Sequence, residues 1–223
     1  MNSILRVGFG ILFLVFLLPH SASFGSGEPK PEGRVLISQD FQEWLWLPIP
    51  YSVRQEGKKA LAEGRTLSFE HRGPLFRVPK GFGNLPAGRM VEGPEAFGGG
   101  RSMLLAADHQ SDQIVGLHGP YGHLLEPGKS YTYRVALKGR GKFYFRAWVD
   151  GVDPATGKTA WLDFPNLIAI PVTDAWKTYS GSFRMPEYDR PPYRTSAKIS
   201  AAIVVEHDST VCVDDFQIRE GGD

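Results

Sequence analysis

The sequence predicts an all-β protein built as an antiparallel β-sandwich of the jelly-roll type. Three observations lead to this prediction. Short runs with a period of two recur along the chain, glycine and proline interrupt them about every ten residues, and no long run shows the period of a helix. Many short antiparallel strands, each burying one side, pack as two facing sheets.

The N-terminal segment predicts a secretory signal peptide. Arg6 precedes the apolar run Val7–Leu18, and small residues follow at positions 21–23. The run is too short to cross a bilayer, which takes roughly 20 residues, and no cysteine follows it to carry a lipid anchor. We expect a signal peptide over 1–23, a flexible leader over 24–33 and a single β-sandwich domain over 34–220. The exported protein is then secreted or periplasmic, with no membrane anchor after signal removal.

The net charge and the cysteine content limit which partners the protein can have and how its fold can be stabilised. The 223 residues carry a formal net charge of +1, which gives no reason to expect nucleic acid or an anionic membrane as partner. Cys212 is the only cysteine, so no intrachain disulfide can form. Stability must therefore come from packing or from a bound ion, and we expect a monomer.

Ten strands follow from the period-two runs. They are predicted near Arg34–Ser38, Thr66–His71, Arg101–Ala107, Gln113–His118, Tyr131–Lys138, Lys142–Asp150, Leu167–Val172, Trp176–Arg184, Lys198–Glu206 and Val211–Arg219. The segment LKGRGKF predicts a hairpin, because glycines at a turn join two such runs. The stretch from Pro48 to Gly100 is predicted to be rich in loops.

The run FYFRAWVDG separates into two faces. One face is apolar and predicted to lie in the core: Phe143, Phe145, Ala147 and Val149. The other face mixes aromatic and charged side chains, where a solvated strand would show small polar ones: Tyr144, Arg146, Trp148 and Asp150. In the run KISAAIVVE, the predicted core face consists of Ile199, Ala201, Ile203 and Val205.

Catalytic signatures are absent from the sequence. It has no nucleophile elbow, no phosphate-binding loop and no HExxH zinc motif. Asp214 and Asp215 interrupt an apolar strand, and burying a carboxylate without a partner is costly. At least one of them should therefore have a cation, a hydrogen-bond donor or water beside it; the alternative is a solvated pair at the end of a strand.

Several segments together resemble the jelly-roll carbohydrate-binding modules of families 4, 9 and 22. LEPGKSYTYRVALKG is similar to their central strand, AWKTYSGSF to their tryptophan-led strand, and VCVDDFQIRE to their closing strand with its Asp-Asp pair. GGGRSMLL and LISQDFQEW are similar to a glycine-led strand and to the opening segment of these modules. The matches occur in the order of the family and span about Leu36 to Glu220.

The resemblance implies a galactose-binding-like β-sandwich with a structural calcium ion. It assigns the ion to Asp214, the first aspartate of the closing strand, and to the opening segment, here Asp40 and Gln42. The family commonly has glutamate where this chain has Gln42, and an amide oxygen can bind calcium but brings no charge. Glu95, just before the glycine run, is a further candidate ligand by its position.

The resemblance also implies a glycan site on one face of a sheet. An aromatic ring packs against the flat face of a sugar, while charged and amide groups bind its hydroxyls. The outward residues of the FYFRAWVDG run offer this mixture, with Arg134 on the predicted hairpin partner. Trp161 and Tyr121 are candidate additions from loops. The alternative is that Trp148 lies under a loop and that Arg146 pairs with a carboxylate.

Together these observations predict a secreted, non-catalytic protein that binds a polysaccharide or oligosaccharide. One alternative is a structural or adhesion β-sandwich without a sugar site. Another is a polysaccharide lyase or glycosidase, which would need histidine, tyrosine and arginine clustered in one cleft. The sequence supplies no clear cluster of that kind.

Overall fold

A computed structural model of the chain describes residues 33–64, 69–83, 88–109, 111–118, 121–196 and 199–221. The described residues belong to one compact unit, Pro31–Asp223. The predicted signal peptide and nearly all of the predicted leader lie outside the described residues. Within the described ranges, no helix has the length and apolar character that crossing a bilayer requires.

The structure confirms the predicted all-β, antiparallel fold class. In the described part of the chain, the elements are β1 (Val35–Gln39), β2 (Trp44–Pro48), α1 (Tyr51–Ala62), β3 (His71–Arg72), β4 (Leu75–Pro79), β5 (Arg89–Glu92), β6 (Arg101–Ala106), β7 (Gln113–Gly116), β8 (Ser130–Val152), β9 (Thr159–Asp163), β10 (Asn166–Val172), β11 (Lys177–Arg184), β12 (Arg194–Thr195), β13 (Ser200–Val205) and β14 (Thr210–Glu220).

Strand β8 belongs to two half-sheets. In the first half-sheet its N-terminal part pairs with β11 on one side and β14 on the other, and β14 pairs in turn with β1 and β6. In the second half-sheet its C-terminal part pairs with β10 and β13, and β13 pairs with β7. Short strands β9 and β12 flank the end of β8.

The hairpin predicted at LKGRGKF is wrong, because the two runs are halves of the single strand β8. Gly139 and Gly141 have φ angles of 137° and 96°, which bend the strand from one half-sheet into the other. A Cβ at Gly139 would overlap the carbonyl oxygen of Thr210, and one at Gly141 would overlap Ser209. Glycine therefore serves a close backbone approach here and not a chain reversal.

The core lies between the two half-sheets. Phe145 of the second half-sheet is fully buried, and its ring centre lies 5.3 Å from that of Phe216 in the first. The face assignments are confirmed for both patterned runs, since their predicted inward residues all belong to this core: Phe143, Phe145, Ala147, Val149, Ile199, Ala201, Ile203 and Val205.

The segment predicted to be loop-rich holds more regular structure than expected. It contains helix α1 and most of a small antiparallel sheet in the order β2, β4, β3. Phe76 and Val78 of β4 are buried and join the main core. The strand predicted over Thr66–His71 is described only from Phe69 onward, where a regular strand begins at His71.

Candidate functional site

The aromatic face of β8 lies on the outer side of the second half-sheet. Trp148 is 45% exposed, whereas Tyr144 is 8% exposed and packs on Ala202 and Val204 of β13. The outward row of β13 carries small side chains beside β8, because Ala202 pairs with Arg146 and Ser200 with Trp148. A large ring therefore stands beside a low floor.

Phe164, in the tight turn between β9 and β10, completes the aromatic surface. Its ring centre lies 5.0 Å from that of Trp148, with the planes inclined at 59°. The guanidinium carbon of Arg146 lies 4.9 Å from the centre of the Tyr144 ring and 5.3 Å from that of Phe164. We call Tyr144, Arg146, Trp148 and Phe164 the platform.

Arg146 is held in the platform by polar partners on both sides. Its Nε donates to Asn166 Oδ1 at 2.6 Å, and its Nη1 lies 3.7 Å from Asp112 Oδ2. The Arg146 side chain is only 20% exposed. The carboxylate pairing that the sequence left open for Arg146 is therefore present, and its guanidinium stacks between two rings. Such an arginine fixes the positions of Tyr144 and Phe164.

A groove of about 370 Å³ runs beside Trp148. Its lining residues are Gly83, Ile114, Gly116, Leu117, His118, Trp148, Asp150, Ser200, Ala201 and Ala202. Gly116 has an ordinary backbone conformation, and a Cβ built there would meet no atom within 4 Å. The base of the groove is open because glycine and alanine residues line it, and the Trp148 ring forms one side.

Polar groups lie along the same groove. Asp150 and His118 line it, and Ser200 Oγ lies 3.0 Å from His123 Nδ1. Hydroxyl, imidazole and carboxylate groups can all exchange hydrogen bonds with a hydroxyl-rich ligand. Among the described residues that line the groove, one is an acid and none is lysine or arginine.

The structure brings Trp161 to the platform face but leaves Arg134 and Tyr121 elsewhere. Trp161 lies on strand β9, not in a loop; it is 61% exposed, and its Cα pairs with that of Asp150. Arg134 lies in the first half-sheet, where its Nε donates to Asp215 Oδ2 at 2.6 Å. Tyr121 lies in a different depression and donates from its hydroxyl to the Ser38 carbonyl oxygen at 2.7 Å.

Sequence reasoning did not single out Phe164, Gly116 or Ser200. A glycine within a short predicted strand leaves the sheet surface without a side chain at that position, and Gly116 carried that signal. Phe164 precedes Pro165 in a turn between two strands. Turns usually carry small or polar residues, so a phenylalanine there was a signal that its ring packs on another group. Ser200 had no such signal, because only its register opposite Trp148 places it in the groove.

Asp214 is buried and has hydrogen-bond donors beside it, one of the surroundings that the sequence predicted for the Asp-Asp pair. It is 3% exposed, Ser102 Oγ donates to its Oδ2 at 2.5 Å, and the Asp215 N–H donates to its Oδ1 at 2.7 Å. Burial raises the pKa of the Asp214 carboxyl from 3.8 to about 6, although these two hydrogen bonds act in the opposite direction. Because the folded pKa is the higher one, the stability that this group contributes is present below pH 3.8. It is lost as the pH rises through about 6.

The residues assigned to calcium do not form a set of ligands that fits the ion. Strand β1 pairs with β14, so the opening and closing segments are adjacent, as predicted. Each carboxylate oxygen of Asp214 accepts one hydrogen bond and keeps a second lone pair, but calcium takes about six to eight oxygen ligands. The backbone oxygen of Glu95 accepts from Trp176 Nε1 at 3.1 Å. In the part of the chain that the structure describes, no three His, Cys, Asp or Glu side chains are grouped to hold a metal.

The chain matches no sequence profile of a protein family and no curated protein sequence. Solved structures with a similar fold include the CBM22-1 and GH10 modules of endo-1,4-β-D-xylanase 10B from Clostridium thermocellum, complexed with xylohexaose. That structure is 16% identical, the match covers 84% of this chain and 29% of that chain, and the TM-score is 0.46.

Two further structures are carbohydrate-binding modules. The CBM22-1 xylan-binding domain of Xyn10C from Paenibacillus barcinonensis is 13% identical, with 86% of this chain and 97% of that chain covered and a TM-score of 0.44. The family 29 module CBM29_1 from Piromyces equi is 14% identical, with 70% and 89% covered and a TM-score of 0.40.

Proposed function

We propose that this chain is a secreted or periplasmic, non-catalytic protein that binds a polysaccharide or oligosaccharide through the platform and the groove beside it. The observation that carries this proposal is the exposure of Trp148 beside a floor made of glycine and alanine. Trp148 and Phe164 are adjacent and form a contiguous aromatic surface. Such surfaces are typical of binding sites, and the flat face of a sugar ring can stack on them.

The side chains of the platform support one another through ring contacts and a hydrogen bond. Phe164 contacts the Trp148 ring on one side, and Arg146 stacks on Phe164 while bound to Asn166. A side chain held in its binding conformation loses little entropy when a ligand stacks on it, so more of the contact energy contributes to affinity.

The charges of the groove favour an uncharged chain of sugars. Asp150 is the acidic lining residue, and the nearby cation Arg146 lies beside Asp112. An acidic sugar would meet a like charge at Asp150 and no lysine or arginine among the described lining residues. A neutral sugar can instead donate hydrogen bonds from its hydroxyl groups to Asp150 and exchange hydrogen bonds with Ser200.

Calorimetric titration of the mature protein with neutral and acidic oligosaccharides tests the proposal. Xylohexaose and mannohexaose, which appear in solved structures of similar fold, are the first neutral probes. Trp148→Ala should weaken binding by about 1–3 kcal/mol, roughly 5- to 150-fold. Gly116→Val should narrow the groove and abolish binding, because a Cβ at this position meets no protein atom within 4 Å and therefore lies in open space.

Ser180→Val is the control, since it places the same β-branched apolar side chain on an exposed strand of the first half-sheet. It should leave both affinity and Tm unchanged. If folded wild-type protein bound no member of a broad glycan panel, the proposal would be rejected in favour of a structural or adhesion role. Equal affinities for Gly116→Val and wild type would place the binding site outside the groove.

A further inference from the structure

The opening segment of the domain is joined to the start of β6 by hydrogen bonds of Gln42. Its Nε2 donates to the carbonyl oxygen of Asp40 at 2.8 Å and lies 3.2 Å from the carbonyl oxygen of Arg101. Both partners can only accept a hydrogen bond, so the NH₂ group of the amide must face them. A donor group thus occupies the point where two backbone oxygens converge.

Arg101 adds a second connection between the same segments. Its Nη1 donates to the carbonyl oxygen of Gln42 at 2.9 Å, while its Nε donates to Glu92 Oε1 at 2.8 Å. A permanent positive charge therefore already binds an oxygen of the opening segment. A divalent cation at this place would have to displace the guanidinium or tolerate its repulsion.

The Gln42 side chain also fills the space above the glycine run. A Cβ built on Gly100 would lie 2.8 Å from Gln42 Nε2 and 2.9 Å from its Oε1. The amide therefore packs directly over Gly100. Glycine at this position is what allows the amide to approach the two carbonyl oxygens.

We infer that Gln42 and Arg101 form a hydrogen-bonded clasp that takes the place of a calcium ion in joining the opening segment to β6. Three backbone oxygens that could have served a cation, those of Asp40, Gln42 and Arg101, are bound to N–H groups of the clasp. The amide brings donors where calcium requires oxygen ligands. The inference goes beyond the proposed glycan site and does not depend on it.

Thermal melts in calcium and in EDTA test the clasp, with Gln42→Glu as the decisive variant. Wild type should have the same Tm in about 10 mM EDTA, in about 10 mM CaCl₂ and in buffer alone. This calcium concentration is about ten times what a weak extracellular site needs for half-saturation. In EDTA, Gln42→Glu should melt about 2–4 °C lower, because a carboxylate would face two carbonyl oxygens with no donor between them. Calcium should raise the Tm of this variant little, because the Arg101 guanidinium still binds the carbonyl oxygen of residue 42 and repels a divalent cation.

Gln55→Glu, the same charge change on the exposed surface of α1, is the control and should melt identically in calcium and in EDTA. Two results would overturn the inference. One is a lower wild-type Tm in EDTA, or calcium binding to wild type by calorimetry, which would show a native ion. The other is a Gln42→Glu protein whose Tm equals that of wild type in every buffer.

Discussion

Replacing Phe145 and Trp148 by alanine in separate variants should separate stability from binding. The two residues are three positions apart on β8 and point to opposite faces. Phe145 is completely buried, with ring centres of Phe216 and Phe183 at 5.3 and 6.0 Å. Trp148 is 45% exposed and has one ring neighbour, Phe164.

The expected magnitudes differ because of this burial. Removing a fully buried phenylalanine costs about 3–5 kcal/mol of the free energy of unfolding. For a domain of this size, that cost corresponds to a fall in Tm of roughly 6–20 °C. Trp148→Ala loses one aromatic pair and part of its burial, about 1 kcal/mol, or roughly 2–4 °C.

Urea unfolding, thermal melting and glycan titration of both variants give the comparison. Phe145→Ala should bind with unchanged affinity at a temperature where it is still folded, because Phe145 lies beneath the sheet and not in the groove. Trp148→Ala should stay folded and lose affinity. If Trp148→Ala were as unstable as Phe145→Ala, the ring would be a core residue and the description of the platform would be wrong.

Three further predictions concern other parts of the chain. Asp214→Asn should gain about 2–2.5 kcal/mol of stability relative to wild type as the pH rises from 4 to 7, because the buried wild-type carboxyl has to lose its proton over this range and asparagine does not; a pH-independent difference in urea melts would contradict it. Gly139→Ala should cost more than about 2 kcal/mol because of its left-handed φ and the nearby backbone, whereas Gly116→Ala should melt like wild type; equal Tm values would refute the bend at Gly139. Mass spectrometry of the exported protein should show an N-terminus near Phe24, and an intact Met1 would refute cleavage.

Local patterning explains why the strands and their faces could be predicted. In a strand with one side buried, the period of two forces apolar residues to alternate with polar ones, so Phe143 and Phe145 were assigned to the core without knowledge of their partners. The same reasoning identified Trp148 as outward-facing. It failed at Gly139 and Gly141, because two glycines between strands can make either a turn or a bend, and only the neighbours Ser209 and Thr210 distinguish the two.

Helix α1 was missed for a related reason. Its sequence, YSVRQEGKKALA, shows no clear 3.6-residue apolar pattern and is rich in polar and charged residues. A short helix with few apolar residues gives a weak signal in the sequence, since that signal comes from the face that packs on a core. The small sheet beside it was also hidden, because its strands are short and, among the described residues, β2 and β3 each pair with β4 alone.

By itself the sequence determined the all-β class, the order of most strands, the inward faces of β8 and β13, and the aromatic character of one outer face. These properties are local, since they follow from which residues alternate along one strand. The tertiary structure alone decided that β8 crosses between half-sheets, that Arg134 and Arg146 lie apart, and that Gly116 and Ser200 share a groove with Trp148. It also placed the Gln42 amide against Arg101, far along the chain. Such proximities depend on pairing between distant segments, and alternation within a single strand carries no information about its partners.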